Sequence, residues 1–341
     1  LNKEEIIQLL TADGEEQQML FDTAKGVRDK QFPEGVSIRG VVEVCNLCLC
    51  NCDYCPMRRD NLKNNSLFTL NEEGILGAVE QMTDCGIRTV FLQGGENPAN
   101  TRIAGGAIRK IRSMYRDEVN IILNLGVKTA AEYAYLYEQG ANGYILKFET
   151  SDPINHERLR HEALDKRIEA IQMLLETGYE VGTGMIIGLP GQTIDSIADD
   201  ILLAKSLNVH MCSVSPFLPA PHTPLESYSS GSIDLSLNAI SIMRILHPEW
   251  LIPSVSALEK IRAGGQIAGL NAGANVITVN YTPKQESEKY HIYGENRFVV
   301  TLGHALQTIA GAGLQAAADL MKPAEGPNAI SKETNHESIP S

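Results

Sequence analysis

The chain has 341 residues, with 29 Lys+Arg against 42 Asp+Glu and a formal net charge of −13. That balance excludes a nucleic-acid binder, which needs cations to neutralise phosphates, but leaves room for a small anionic ligand held by one basic side chain. No apolar run approaches the roughly 20 residues of a membrane span, and the acid-rich start lacks a signal peptide's apolar stretch, so a reducing, cytoplasmic setting is expected.

Residues 1–36 read as a helical extension, with short helices over 1–10 and 15–28 broken at 11–14. From there short β-branched runs alternate with stretches of helical periodicity. Strands are expected at 41–45, 89–93, 120–125, 144–148, 180–187, 211–214, 251–255 and 275–279. Thr69 and Glu72 read as a capping box opening a helix that runs to Gly86. Further helices are expected at 102–115, 129–139, 164–177, from Ile194 onward, and at 235–246, 258–270 and 301–321. Undiluted apolar strands alternating with helices imply an α/β fold with a parallel sheet. Eight such units predict a (β/α)8 TIM-type barrel over 37–321, with N-terminal helices and a C-terminal helix. An open doubly wound sheet is the alternative on pattern alone. Residues 322–341, rich in Pro, Ser, Asn, Glu and Lys, read as a flexible tail.

Of seven cysteines, five fall between positions 45 and 55: Cys45, Cys48, Cys50, Cys52 and Cys55. Cys85 and Cys212 stand alone in apolar surroundings. In a reducing compartment such clustering points to metal. Zinc would pair Cys45/Cys48 with Cys52/Cys55, but the pairs lie too close for two facing knuckles. A ferredoxin-type site would need a different spacing, although Pro56 follows Cys55. The third reading is Cys48-x3-Cys52-x2-Cys55 with Tyr54 before the last thiol.

That spacing resembles the signature of the radical S-adenosylmethionine (SAM) superfamily, and two further elements occur in the matching order. Gly94-Gly95-Glu96 follows the second strand, and Gly184-x-Ile186-x-Gly188-x-x-Gly191 lies on the fifth. The resemblance narrows to the branch of the [FeFe]-hydrogenase maturase HydE, with the 3-methylornithine synthase PylB as close kin and biotin synthase more distant. It rests on residues 48–61 (CLCNCDYCPMRRDN), 92–98 (LQGGENP), 149–160 (ETSDPINHERLR), 188–193 (GLPGQT), 216–225 (PFLPAPHTPL) and 271–277 (NAGANVI), and covers the chain except its tail.

The resemblance implies one [4Fe–4S] cluster on Cys48, Cys52 and Cys55, with one iron left open for SAM. It implies SAM contacts from Tyr54, Gly94, Gly95, Glu96, Glu149, Arg167 and Gly188. Cys45 and Cys50 read as thiols outside the ligand set. The implied partners are a small-molecule substrate and an external electron donor of flavodoxin or ferredoxin type, with no nucleic acid and no membrane. With no cysteine after Cys212, a second cluster near the C-terminus is not expected.

The substrate half departs from both relatives. Val255-Ser256 stands where HydE has a Thr pair, Ala257 where PylB has an Asp, and Lys147 where HydE has an Arg. Lysine keeps the charge without the bidentate fork. Lys147, two residues before Glu149 on one strand, is expected to point into the barrel beside it. With no acid identified nearby, Lys147 is expected to meet a substrate carboxylate, with Ser256 and Gln93 as further contacts; the alternative is that it pairs with an acid on a neighbouring strand and is structural. The expected function is a HydE-like radical SAM enzyme acting on a small, carboxylate-bearing, amino-acid-like or thiol-derived substrate, in metallocofactor assembly. The alternatives are a PylB-like amino-acid mutase and a non-catalytic iron–sulfur scaffold or electron carrier. No catalytic residue is assigned.

Overall fold

The structure is a computed structural model that describes residues 1–294 and 296–317. It begins with helices α1 (Lys3–Leu10), closed by an Asn2/Glu5 capping box, and α2 (Gly14–Gln31). The alternating part follows: β1 (Ser37–Cys45), α3 (Glu72–Asp84), β2 (Thr89–Gly94), α4 (Ala99–Tyr115), β3 (Asn120–Asn124), α5 (Ala130–Glu138) and β4 (Gly143–Ile145). Next come α6 (Pro153–Arg160), α7 (Leu164–Thr177), β5 (Glu180–Ile187), α8 (Ile194–Ser206), β6 (Met211–Pro216), α9 (Ile233–Leu246), α10 (Ser256–Ile261) and α11 (Gly265–Asn271). The last elements are β7 (Val276–Asn280), α12 (Lys284–Ser287) and α13 (Leu302–Gly311).

The seven strands form one parallel sheet in the order β6-β5-β4-β3-β2-β1-β7. Two separate apolar clusters define its two faces. The larger one, including Val42, Val90, Leu92, Ile121, Leu123 and Val181, packs the outer face against the helices. The smaller one joins Val41, Phe91, Ile122, Ile145 and Met211, with Leu251 against it. Contributions from five strands to one small cluster require the sheet to curl around it. Strand alternation then fixes what lies next to this floor: Glu43, Gln93, Asn124, Lys147 and Ser213 are each two residues further along the same inner face.

The eighth expected strand, 251–255, does not form. Leu251 makes a single parallel bridge to Met211 of β6, and Pro253 one to Val276 of β7. Proline has no N–H to extend a ladder, and Val255 already serves as N-cap of α10. What is shown is a curled parallel sheet of seven strands wrapped by helices, with 251–254 hydrogen-bonded to both edge strands.

Other expectations shift for local reasons. Asn71, not Thr69, caps α3 by accepting from the Gly74 N–H, while the Thr69 hydroxyl donates to Cys45. The single helix expected at 258–270 breaks between α10 and α11, where Gly264 takes φ +78°. The final helix stops at Gly311, and residues 318–321 of the expectation, like the whole tail 322–341, lie outside the described residues. Cys85, expected in apolar surroundings, is exposed at the C-cap of α3. The N-terminal helices pack on α8 and α9, and the Asn238 amide donates to the carbonyls of Leu10 and Ala12 where the two helices meet.

Candidate active site

A cavity of ≈ 320 Å³ opens inside the curl of the sheet, at the C-terminal ends of its strands. Cys48, Cys50, Cys52, Tyr54 and Cys55 line its rim together with Gly94, Gly95, Glu96, Glu149, Arg160 and Arg167. Lys147, Gln93, Ser256, Arg39 and Glu43 line its deeper part. Twelve of the thirteen residues singled out from sequence therefore face one space. Gly188 does not line it. It turns the chain at φ +90°, and the neighbouring Ile186 faces the cavity instead.

The cysteine loop is held at many points. Arg58, buried, bonds the Asn51 side chain and lies 3.2 Å from Asp53. The Asp53 N–H donates to Leu159 O on α6, Arg59 N–H to Cys50 O, and Leu49 N–H to Glu96 O. Cys45 sits below the rim, fully buried. Its sulfur accepts from the Leu47 N–H and the Thr69 hydroxyl, both at 3.2 Å, which makes it an anchor for the base of the loop. Gly95 is required by close approach, since a Cβ there would lie 2.2 Å from Leu47 O.

The rim is rich in charge. Arg167, on the first turn of α7, donates to Lys147 O at 2.8 Å and reaches Glu96 at 3.3 Å. Arg160, the last residue of α6, donates to the Tyr54 hydroxyl at 3.0 Å, and its Nε has no partner. Glu149 takes the left-handed conformation at φ +69°. Its Oε2 lies 3.1 Å from the Lys147 ammonium but outside hydrogen-bond geometry, leaving a buried acceptor unfilled. Burial works against both carboxylates. Arg167 and Arg160 nonetheless hold Glu96 below the usual range, and Lys147, Arg160 and Arg167 do the same for Glu149. Burial pushes the Cys55 thiol up to about 12.

Lys147 thus has a protein carboxylate beside it, where none was identified from sequence. Its stem crosses Gly184, whose missing side chain makes the room: a Cβ there would lie 2.9 Å from Lys147 Cε. The Gln93 amide is engaged by the Tyr290 hydroxyl at 3.1 Å. Tyr290 and Arg297 both line the cavity, and Arg297 is clasped there. Arg297 makes two bonds to the Glu43 carboxylate and one each to Ser287 O and Oγ.

Sequence reasoning missed Arg39 and Arg160. Arg39 is buried in the deep chamber, donates to Thr278 Oγ1 at 2.8 Å and lies 4.7 Å over the Phe91 ring. Among the described residues no carboxylate pairs with it, and burial lowers its pKa to about 10. Its signal was the alternation Arg39, Val41, Glu43 on one face of β1, hidden because the expected strand began at Val41. Arg160 was concealed because α6 was not anticipated.

These residues fit a thiol-held cluster and SAM. Four thiols face one cavity, and an unfilled carboxylate oxygen and an unfilled guanidinium N–H stand across from them. Among the described residues no three His, Cys, Asp or Glu side chains are gathered tightly enough to hold a single metal ion. The fit is therefore to a cavity bordered by thiols rather than to a closed ligand set.

Comparison with known proteins agrees with this chemistry. Residues 42–204 match the radical SAM superfamily model. The chain is 36% identical to the [FeFe] hydrogenase maturase subunit HydE of Thermotoga maritima over 276 residues, covering 80% of this chain and 78% of that one. It is 29% identical to 3-methylornithine synthase of Methanosarcina acetivorans, covering 82% and 79%. The crystal structure of methylornithine synthase (PylB) superposes with a TM-score of 0.81 at 24% identity over 93% of this chain and 94% of that one. A thiol-lined cavity at the mouth of a curled parallel sheet, together with these likenesses, establishes that the chain belongs to the radical SAM superfamily and is an enzyme that uses a [4Fe–4S] cluster and SAM.

Proposed function

We propose that this enzyme is HydE-like and acts on a small, carboxylate-bearing, amino-acid-like or thiol-derived molecule during assembly of a metallocofactor. One observation carries the substrate class: the buried guanidinium of Arg39 in the deep chamber, which among the described residues meets no carboxylate, with Lys147 above it. An unpaired buried cation costs several kcal/mol even after relaxation, and an anionic group on the ligand offsets that cost. Arg39 offers the bidentate geometry that Lys147 lacks. Ser256 supplies a further donor from the start of α10.

In this reading Cys48, Cys52 and Cys55 hold the cluster, and Cys50 stays free. Glu96, Tyr54, Gly94, Gly95, Glu149, Arg160 and Arg167 receive SAM, with Gly188 shaping the wall from behind. When bound, the cluster and SAM supply a 5′-deoxyadenosyl radical by reductive cleavage of the sulfonium. The protein's part is to bind, orient and exclude. Glu149 offers its unfilled oxygen to a hydroxyl. The apolar floor of Val41, Phe91, Ile122, Ile145 and Met211 excludes water from below. The clasp of Glu43 and Arg297 keeps Tyr290 over the chamber. The bridges at Leu251 and Pro253 support an eighth stave, so that 37–317 works as a (β/α)8 barrel behind the helical extension 1–36. The electron comes from a flavodoxin or ferredoxin type donor in the cytoplasm.

The mutase reading is weaker, because Ala257, fully buried, offers no carboxylate to a substrate amine. The test is anaerobic reconstitution with iron and sulfide, reduction, and assay for methionine and 5′-deoxyadenosine. The assay is repeated with thiols, amino acids and their thioether or thiazolidine carboxylates. Faster cleavage with a carboxylate than with its amide or ester supports the reading. A reduced, iron-loaded protein that never cleaves SAM would leave only the scaffold role.

A further inference from the structure

Behind the rim, outside the cavity, lies a carboxylate that the proposed function does not use. Asp200, on α8, is fully buried. One of its oxygens accepts from the Ser151 N–H, from Ser151 Oγ at 2.6 Å and from Thr150 Oγ1 at 3.3 Å. The other accepts from Gln192 Nε2 at 3.0 Å. Gln192 passes the contact on: its Nε2 also donates to Ile186 O at 3.0 Å, and its Oε1 accepts from the Gly188 N–H at 2.6 Å.

These partners belong to two turns. The first, after β4, holds Glu149 in a left-handed conformation that only its surroundings make tenable. The second, after β5, carries Ile186 into the cavity wall and turns at Gly188, where a Cβ would lie 2.4 Å from Gly231 Cα. The turns also bond each other directly, Glu149 N–H to Gly184 O and Ile186 N–H to Glu149 O. Only an ionised carboxylate, all acceptor, satisfies donors from both sides at once. An amide at this position would set its NH2 against the NH2 of Gln192. Flipping Gln192 would then orphan the Gly188 N–H.

Among the described residues no cation bonds Asp200, so the charge is retained in an expensive place. Burial raises its pKa to about 6. A core in need of packing alone would be served by an apolar side chain.

We propose that Asp200 is a positioning residue: through Ser151 on one side and Gln192 on the other, its carboxylate fixes the Glu149 turn and the Ile186–Gly188 turn relative to each other, and so sets the part of the rim that receives SAM. The inference rests on the SAM site proposed above.

The test uses the full chain and two proteins, the parent and Asp200→Asn. Amide hydrogen exchange is followed in the apo proteins. SAM affinity is measured by equilibrium dialysis on the cluster-loaded proteins. Asp200→Asn is expected to keep the parent's iron content and to weaken SAM binding about tenfold, the worth of one hydrogen bond to a charged group. Uncoupled cleavage at saturating SAM changes less than about twofold, a KM effect without a kcat effect. Exchange quickens over 149–151 and 186–192 while β1 and β2 stay protected.

Parent-like SAM affinity in Asp200→Asn overturns the proposal, as does faster exchange spread evenly through the sheet. A parent that loads iron but binds no SAM overturns the SAM site itself. That failure is separable, because the apo exchange pattern still reports whether Asp200 braces both turns.

Discussion

The rim and the deep chamber of the same cavity are built in opposite ways. At the rim every cation has a protein partner, Arg58 with Asn51 and Asp53, Arg167 with Glu96 and Lys147 O, Arg160 with Tyr54, and the open atoms are Glu149 Oε2 and Arg160 Nε. In the chamber Arg39 has one hydroxyl and a ring face, and among the described residues no carboxylate pairs with it. A network that ties its cations to the protein keeps its geometry whatever the substrate and leaves those two atoms for the cofactor. A buried cation without a carboxylate partner leaves polar capacity in the chamber for one ligand.

The largest expected effect breaks the rim. Cys48→Ala, Cys52→Ala and Cys55→Ala should each lower reconstituted iron from about four per chain to background, while Cys50→Ala keeps it. Cys45→Ala should also load iron, at a stability cost of about 1–3 kcal/mol from the orphaned Leu47 N–H and Thr69 hydroxyl. Loss of iron in Cys45→Ala, with retention in Cys48→Ala, would reassign the ligands.

The next sharpens the contrast by emptying the chamber. Arg39→Leu removes a cation without a carboxylate partner, so its melting temperature should equal or exceed the parent's. Any acceleration of SAM cleavage by carboxylates should fall at least tenfold, roughly the worth of a charge-assisted bond. Lys147→Met should lose the same acceleration and retain uncoupled cleavage. Unchanged acceleration in both variants would remove the substrate carboxylate from the account.

Gly95→Ala tests the close approach that sets the cysteine loop on β2. A methyl 2.2 Å from Leu47 O forces the two segments apart, which should cost about 1–3 kcal/mol in chemical denaturation and slow iron uptake. An unperturbed variant would mean that the loop sits farther from β2.

The smallest effect is a pH dependence. His156 is fully buried, with Nδ1 on Phe148 O and Nε2 unpaired, and burial lowers its pKa to about 4. The folded state therefore resists a proton that the unfolded chain accepts near 6.5. This contribution to stability is present above pH 6.5 and is lost as pH falls toward 4. The melting-temperature gap between apo parent and His156→Gln should narrow over that window. A constant gap would show that His156 does not titrate with unfolding.

What the sequence disclosed follows the same division. The rim was legible because its chemistry is local: the cysteine spacing, Gly94-Gly95-Glu96, and Glu149 in the turn that follows β4 are each short contiguous motifs. The α/β rhythm was legible from β-branched runs, and α7 and β5 matched residue for residue. The chamber was not, because its contacts join distant positions, Arg39 to Thr278 and Gln93 to Tyr290. The eighth strand misled because Leu251, Ile252 and Val255 have strand composition. Pro253 and the cap of α10 reduce the segment to one bridge on each side.

The Glu43–Arg297 clasp has a consequence for how the molecule is made. Its partners are 254 residues apart, and β1 also pairs with β7, so the first strand of the sheet waits for the last. During synthesis Glu43 is a carboxylate destined for burial whose counter-charge has not yet left the ribosome. A nascent chain that ends before Arg297 cannot close its own interior without stranding that charge, and it keeps an open sheet edge for other chains to pair with. Arrival of β7 and Arg297, rather than emergence of the cysteine loop, is therefore what lets the interior close around the site.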